Sequence, residues 1–203
     1  MSVPAFGGAS IDGGLYTWIT GLAQHTPHAL NTVISYWTDY GLVLFAALMV
    51  LGWWRARRSG AGAGAMAMVL AVPVVVVVAY VANDVIKGFF DEQRPCQTLH
   101  TVTVEACPGL GDWSFPSNHS AIAAAAAVAL VLCGSGLGRI AVPAALLMAA
   151  SRIWVGAHYP HDVLVGLLVG VVVGWPLTLL ARRAAPAVER ARATRLRPLV
   201  ASR

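Results

Sequence analysis

The sequence predicts an all-α integral membrane protein, a helical bundle with five to six transmembrane helices. Of the 203 residues, 58% are hydrophobic and only 11% are charged, against roughly 25% charged residues in a typical soluble domain. The apolar residues are also gathered into long runs, as a membrane helix of roughly 20 residues requires. A soluble globule would need more polar side chains to cover its surface, so this class is excluded.

Five apolar runs are long enough for membrane helices, and each ends at charged residues or at a helix breaker. Basic residues at 55–58 follow the first run, Lys87 follows the second, and Arg182 and Arg183 close the fifth. The predicted spans are 33–54, 65–86, 117–134, 139–155 and 161–181. A further stretch, 14–30, is only moderately apolar, so it either lies at the membrane interface or forms a sixth span.

These runs divide the chain into three parts. Residues 1–32 form an N-terminal segment that is interfacial or an additional span, 33–181 form the membrane domain, and 182–203 form a basic tail. Residues 1–14 lack the basic start of a secretory signal peptide and contain four glycines, so they are predicted to be a loose terminus. The tail either lies against anionic lipid or serves only as a topology anchor.

The charged residues are unevenly shared between the two sides that five spans define. All but three of the 14 Lys and Arg residues fall in 55–64, 135–139 and the tail, which are therefore predicted to be cytoplasmic. The three exceptions, Lys87, Arg94 and Arg152, fall on the outer side with all six histidines. The net charge of +5 thus reflects membrane topology, and no nucleic-acid partner is predicted.

Three short polar stretches lie at the outer ends of the predicted spans. They are 87–95 after the second span, 115–120 at the start of the third, and 151–162 between the fourth and the fifth. The predicted topology brings all three to the same face of the membrane. We therefore expect them to form one site.

The residue types in these stretches suit a phosphoryl group. Ser117 precedes an alanine-rich run, as a helix N-cap does, and the free N–H groups of a helix start attract anions. Lys87, Arg94 and Arg152 add three cations that can neutralise phosphate oxygens. Because these cations already balance the charge, neither a metal nor a cofactor is predicted.

The same stretches contain a candidate nucleophile and a candidate acid. His158 lies four residues before Asp162, whose carboxylate could fix the imidazole tautomer and leave the other nitrogen free to attack phosphorus. His119 could protonate the departing oxygen and later activate water. Each residue alone is more often structural at a helix end, but their joint placement favours catalysis. His161 is left open as a bystander.

These residues resemble the three-part signature of the type-2 phosphatidic-acid phosphatase superfamily, which includes the vanadium haloperoxidases. Lys87 with Arg94-Pro95 matches the first part, and Ser151-Arg152, His158 and Asp162 match the third at the same spacing. The second part differs, because Asn118 stands where the broad pattern Pro-Ser-Gly-His has glycine. The strings 115–119 and 151–162 are similar to those of bacterial undecaprenyl-diphosphate phosphatases, and the resemblance covers residues 33–181.

The resemblance implies metal-independent hydrolysis through a phosphohistidine, in a bacterial cell membrane, at a site on the periplasmic or extracellular side. It implies His158 as nucleophile, Asp162 as its orienting partner and His119 as general acid. Asn118 either donates an additional hydrogen bond to the phosphate or loses the close approach that glycine permits. The implied substrate is a polyprenyl diphosphate used in cell-wall biogenesis. The remaining residues implied to bind phosphate are Lys87, Arg94, Ser117 and Arg152.

The outer loop 88–116 contains two of the three cysteines, Cys96 and Cys107. Disulfides persist in an extracytoplasmic compartment, so these two cysteines are predicted to be bridged.

Two alternatives remain open. The same residues could serve a phosphatase for phosphatidylglycerophosphate, phosphatidate or another polyprenyl phosphate, because they select the phosphoryl group and not the lipid tail. An anion-binding transporter belongs to a different class and needs polar groups along its spans. The stretches 66–82, 121–133 and 163–181 contain almost none, which disfavours transport.

Overall fold

A computed structural model describes residues 7–201, and every regular element within them is helical. The predicted all-α class is therefore confirmed for this part of the chain. The predictions that concern residues 1–6 and 202–203, including Arg203, lie outside the described residues. The helices are α1 Ala9–Gln24, α2 His28–Tyr40, α3 Leu42–Arg58, α4 Ala63–Lys87, α5 Pro95–Leu99, α6 Asn118–Leu132, α7 Gly138–Trp154, α8 Pro160–Leu180, α9 Ala185–Arg192 and α10 Arg197–Val200, with a 3₁₀ turn at Ala181–Ala184.

The structure does not confirm the predicted number of five to six membrane spans. By length and composition, α4 and the continuous run Pro160–Arg192 qualify, and α2 with α3 could form a third span. Helix α6 is apolar but has only 15 residues. Large apolar side chains nevertheless point outward from several helices, among them Val74, Val77, Leu146, Leu147, Leu168 and Val172. Such a surface suits lipid rather than water.

The first predicted span, 33–54, is not one continuous helix. It is broken at Gly41, where α2 and α3 meet at 51°. A Cβ at Gly41 would lie 2.7 Å from the Met148 Cε atom, so α7 packs closely against the bend. The polar run 35–41, which includes Ser35, Thr38 and Asp39, interrupts the apolar pattern at the bend, and α7 packs against it. Helix α2 thus carries Thr38 to the C-terminal end of α7, where it contacts Arg152.

Helix α6 lies at the centre of the bundle, packed against α4, α7 and α8. Its buried face is almost all alanine, and α8 presents a glycine at every fourth position. At Gly170 a Cβ would lie 2.7 Å from the Ala124 Cβ and 2.9 Å from the Ala125 nitrogen, so only glycine permits this approach. The close packing brings the N-terminal ends of α6 and α8 together, and the Ser117 N–H donates to the Asp162 carbonyl at 3.0 Å.

The N-terminal segment is more ordered than the sequence indicates. Helix α1 begins at Ala9, so the prediction of a loose terminus through residue 14 was wrong for residues 9–14. The backbone leaves helical geometry at Asp12. Beyond that point Tyr16 is fully buried, and its hydroxyl donates to the Gly156 carbonyl at 3.0 Å. Helix α1 thus packs against α7, α8 and the segment that joins them.

The basic tail folds back onto the bundle. Val188 of α9 and Val200 of α10 are buried against Met66 and Ala67 of α4. The Trp53 indole N–H also donates to the Leu199 carbonyl at 2.8 Å. The tail is therefore part of the packed structure.

Candidate active site

The three polar stretches meet at one end of the bundle. Lys87 is the last residue of α4, Arg94 immediately precedes α5, and Ser117 precedes α6. The segment 155–159 joins α7 to α8 and contains His158, while Asp162 is the third residue of α8. Helix packing thus gathers residues that lie up to 75 positions apart in the sequence, from Lys87 to Asp162.

His158 is buried among cations. Its Nε2 atom lies 2.9 Å from a terminal nitrogen of Arg94, and its Nδ1 atom lies 3.4 Å from the Asp162 Oδ2. Burial lowers the pKa of His158 well below 6.5, and the charges of Arg94, Arg152 and Lys87 lower it further. The imidazole is therefore neutral. Because arginine can only donate, Nε2 is the acceptor and Nδ1 carries the proton toward Asp162.

Asp162 is fully buried and is held by two donors. Its Oδ2 atom accepts the Tyr159 backbone N–H at 2.8 Å and a short hydrogen bond from the Ser114 hydroxyl. The Ser114 Oγ also lies 3.4 Å from the His158 Nδ1. Ser114 was not predicted, and no sequence signal marks it, because it lies in an irregular loop. It completes the group that surrounds the His158 ring.

Arg94 is fixed in place by backbone and side-chain acceptors. Its Nε donates to the Asp112 carbonyl at 3.0 Å, and one terminal nitrogen donates to the Asp112 carboxylate at 2.9 Å. The other terminal nitrogen donates to the Ala157 carbonyl at 2.9 Å. The guanidinium fork is therefore oriented before any ligand binds.

The other two predicted cations, Lys87 and Arg152, are held by partners of their own. The Lys87 ammonium donates to the carbonyls of Trp113 and Ser114, at 2.8 and 3.2 Å. Arg152 donates to the Thr38 hydroxyl at 2.7 Å and lies 3.7 Å from the Glu105 carboxylate. Burial raises the pKa of Glu105, against the opposing effect of Arg152.

The Arg152 Nε is buried without a hydrogen-bond partner among residues 7–201. Arg152 therefore retains donor capacity. Neither Thr38 nor Glu105 was predicted, since their contact with Arg152 depends on the bend at Gly41 and on the path of the outer loop.

The start of α6 presents its residues in different directions. The Ser117 Oγ accepts from the Ser120 hydroxyl at 3.1 Å. Asn118 points toward α4, where its carbonyl oxygen accepts from the Asn83 amide at 2.6 Å and its own amide lies 3.4 Å from the Asp84 carboxylate. His119 is half-buried, and its ring makes no hydrogen bond to any residue in 7–201. Its nitrogens are therefore available to a ligand.

Cys96 and Cys107 are joined by a disulfide. The bridge connects α5, which follows Arg94 directly, to the segment that precedes Asp112. It thereby closes residues 96–107, the segment that lies in the sequence between Arg94 and its partner Asp112.

One cluster beside the site has the spacing to hold a metal ion. The ligand atoms of Glu92, His161 and Asp162 all lie within 4.8 Å of one another. In the structure these side chains contact each other directly, with the His161 Nε2 at 3.0 Å from the Glu92 Oε1. His161 thus contacts both Glu92 and Asp162, and its partner Glu92 was not predicted.

Comparison with known families assigns this arrangement to a class. The PAP2 superfamily matches residues 68–185, which include every predicted site residue. The chain therefore belongs to the PAP2 superfamily. It is a lipid phosphatase of that superfamily, and the predicted resemblance is confirmed.

Two of the similar proteins are named as phosphatases of polyprenyl lipids. The chain is 31% identical over 163 residues to undecaprenyl-diphosphatase BcrC of Bacillus subtilis, covering 79% of each chain. It is 39% identical over 99 residues to the decaprenylphosphoryl-5-phosphoribose phosphatase of Mycobacterium tuberculosis, covering 48% of this chain and 52% of that protein. The fold is similar to that of Aquifex aeolicus LpxE, with a TM-score of 0.55 at 23% identity, covering 87% of this chain and 98% of LpxE.

Proposed function

We propose that this protein hydrolyses a polyprenyl diphosphate, such as undecaprenyl diphosphate, to the monophosphate at the outer face of a bacterial cell membrane. One observation carries the proposal: neutral His158 lies buried between the Arg94 guanidinium and the Asp162 carboxylate. This is the environment that a histidine nucleophile for phosphorus requires, with one nitrogen protonated and held and the other unprotonated beside a phosphate-binding cation.

In the first step, the His158 Nε2 attacks the terminal phosphorus. A phosphate that enters takes over the Arg94 nitrogen now bonded to Nε2, which exposes the nitrogen lone pair. The N–P bond forms as the bond from phosphorus to the bridging oxygen breaks. His119 protonates that oxygen, and the lipid monophosphate leaves.

In the second step, neutral His119 accepts a proton from water as the water oxygen attacks phosphorus. The N–P bond breaks, inorganic phosphate leaves, and His158 returns to its neutral form. Throughout both steps, the cations stabilise negative charge on the phosphoryl oxygens. Asp162 keeps the proton on the His158 Nδ1, and Ser114 holds the Asp162 carboxylate.

The phosphate-binding set we propose combines the three cations with the start of α6. Arg94 and Arg152 offer guanidinium donors, and Lys87 adds a point charge. Ser117 contributes through the N-terminal end of α6. Asn118 contributes through its backbone N–H, because its side chain is bonded to α4. These groups require no metal for the reaction we propose.

We also propose that the chain crosses the membrane five times, which places this site at the outer face and the C-terminal tail in the cytoplasm. The supporting observation is the uneven sharing of Lys and Arg between the two ends of the bundle. Maleimide labelling of intact cells tests it, using variants without Cys133. A cysteine at Asp91 should be labelled by an impermeant reagent and one at Ser59 only after lysis. The opposite pattern would reverse the orientation.

The substrate assignment rests on similarity to BcrC of Bacillus subtilis and on the phosphate-binding residues. The Mycobacterium tuberculosis relative is named for a different lipid phosphate, so a monophosphate substrate is the second candidate. Phosphatidylglycerophosphate and phosphatidate complete the panel, because the site geometry selects a phosphoryl group and not a tail.

The test is phosphate release by purified protein with excess EDTA, from undecaprenyl diphosphate and from the other lipids of the panel. His158→Ala should abolish release, while His25→Ala, at an exposed histidine, should leave it unchanged. Faster release from another lipid would change the substrate assignment but leave the proposed mechanism intact. Full activity in His158→Ala, or activity that EDTA removes, would overturn the mechanism.

A further inference from the structure

The start of α8 is held by a carboxylate from a distant helix. The Asp12 Oδ2 accepts the His161 backbone N–H at 2.7 Å, and the Asp12 Oδ1 lies 2.8 Å from the His161 Nδ1. His161 is the second residue of α8, where backbone N–H groups have no partner within the helix. Asp12 therefore caps α8 from outside, and it does so at the residue next to Asp162.

The other nitrogen of the same ring also faces a carboxylate. The His161 Nε2 lies 3.0 Å from the Glu92 Oε1, and the Glu92 side chain is 2% exposed. A histidine that donates from both ring nitrogens carries a positive charge. The contacts with Asp12 and Glu92 thus describe an imidazolium between two carboxylates, with the His161 and Asp12 side chains 14% and 17% exposed.

This imidazolium also contacts the residue that orients His158. The Asp162 Oδ1 is buried and has no hydrogen-bond partner among residues 7–201, and the His161 Nε2 is 3.4 Å from it. The other oxygen, Oδ2, faces His158 and accepts the Ser114 and Tyr159 bonds. The His161 charge therefore stabilises the Asp162 Oδ1, the carboxylate oxygen that has no hydrogen bond among residues 7–201.

Helix α1 makes a second contact with the same catalytic segment. The Tyr16 hydroxyl donates to the Gly156 carbonyl at 3.0 Å, and the Tyr16 ring lies 5.5 Å from that of Tyr159. Gly156 has a φ of +88°, a conformation that other residues rarely adopt. The segment that carries His158 is thus held at Gly156 and at His161 by the same helix.

We propose that Asp12 and Glu92 are positioning residues, which hold a protonated His161 against Asp162 and so align Asp162 with His158. Helix α1 is then the element through which the N-terminal segment aligns the catalytic residues. The inference deepens the proposed function, since it concerns the same His158 reaction. Asp12 lies outside the three polar stretches, whereas Glu92 and His161 lie within them beside the predicted site residues. None of the three is proposed to touch the substrate.

The kinetic test uses Asp12→Asn, Glu92→Gln and His161→Gln, with Asp91→Asn as the matched control. Asp91 is an exposed acidic residue of the outer loop, next to Glu92. We expect each of the first three to lower kcat about 10-fold, which equals about 1.4 kcal/mol in the barrier. KM should change by less than about 2-fold, because the phosphate ligands are untouched. Asp91→Asn should match the wild type.

A double-mutant cycle separates this role from general destabilisation. If Asp12 acts through His161, the Asp12→Asn/His161→Gln double variant should be no slower than His161→Gln alone. The proposal would be overturned if the double variant lost kcat by the product of the two single losses. It would also be overturned if Asp12→Asn and Glu92→Gln had the same kcat as Asp91→Asn. If Asp12→Asn does not fold, the Glu92→Gln/His161→Gln pair gives the same comparison.

A spectroscopic measurement tests the inference independently of activity. The ring ¹⁵N resonances of His161, assigned by their loss in His161→Gln, should show both nitrogens protonated at neutral pH. In the Asp12→Asn/Glu92→Gln double variant the ring should be neutral. A neutral His161 in the wild type would overturn the positioning role, whereas failure of the proposed function would appear as full activity in His158→Ala.

Discussion

Asn118 is the residue where this chain differs from the broad family pattern, and replacing it with glycine separates two explanations of the difference. Its carbonyl oxygen accepts a 2.6 Å hydrogen bond from the amide of Asn83, which is fully buried. The side chain is thus directed at α4. We expect Asn118→Gly to weaken the attachment of α6 to α4 and to leave the chemical step almost intact.

The expected loss of stability follows from these contacts. One side-chain hydrogen bond contributes about 0.5–1.5 kcal/mol, and a glycine in a helix costs up to about 1 kcal/mol. Asn83 keeps its bond to the Pro116 carbonyl at 3.2 Å, so it is not left wholly without partners. The total is about 1–2 kcal/mol, which lowers Tm by about 2–8 °C for a chain of this size.

The assay combines thermal unfolding in detergent with steady-state phosphate release. We expect kcat within about 3-fold of the wild type, equivalent to less than about 0.7 kcal/mol in the barrier. In a cycle with Asn83→Ala, the two substitutions should show coupling of about 1 kcal/mol in stability. A kcat reduced about 100-fold with an unchanged Tm would refute this reasoning, because it would mean that the Asn118 amide acts on the phosphate.

Three further predictions concern the site and the core. Burial and nearby cations lower the pKa of His158, so neutral His158 persists as the pH falls below 6.5, and the acid limb of kcat/KM should lie below that value. Arg94→Gln should move the midpoint of this limb, and the midpoint of the NMR titration of the His158 ring, toward pH 6.5. Unchanged midpoints would exclude an electrostatic role for Arg94. Cys107→Ser should destabilise the fold by about 2–4 kcal/mol by opening the bridge to Cys96, whereas the same change at free Cys133 should have little effect. Equal melting temperatures of the two serine variants would contradict this. Gly170→Ala should lower stability by about 1–3 kcal/mol because the added Cβ would lie 2.7 Å from the Ala124 Cβ. Gly64→Ala, on an open helix surface, is its control, and equal unfolding temperatures would show that α8 moves aside freely.

The amino-acid sequence alone predicted the all-helical class and the polar residues that the structure gathers at one end of the bundle. Apolar runs define helices because a membrane segment needs about 20 apolar residues whatever its neighbours are. The spacing of His158 and Asp162 likewise predicts their proximity, because four positions bridge the short turn into α8. The cations Lys87, Arg94 and Arg152 stood out because they oppose the charge bias of the remaining chain. The apolar runs and the His158–Asp162 spacing are local features of the sequence, and the charge bias follows from counting Lys and Arg residues.

Only the tertiary structure decided which other side chains complete the site. Ser114, Glu92 and Asp12 reach His158, His161 and Asp162 from an irregular loop and from a separate helix, and no periodic pattern encodes such contacts. The first predicted span bends at Gly41, where α7 packs against it, and Asn118 turns toward Asn83 because α4 and α6 lie side by side. Contacts of this kind depend on the path of loops and on how closely helices approach. Both are set by the packing of the whole chain rather than by any single segment.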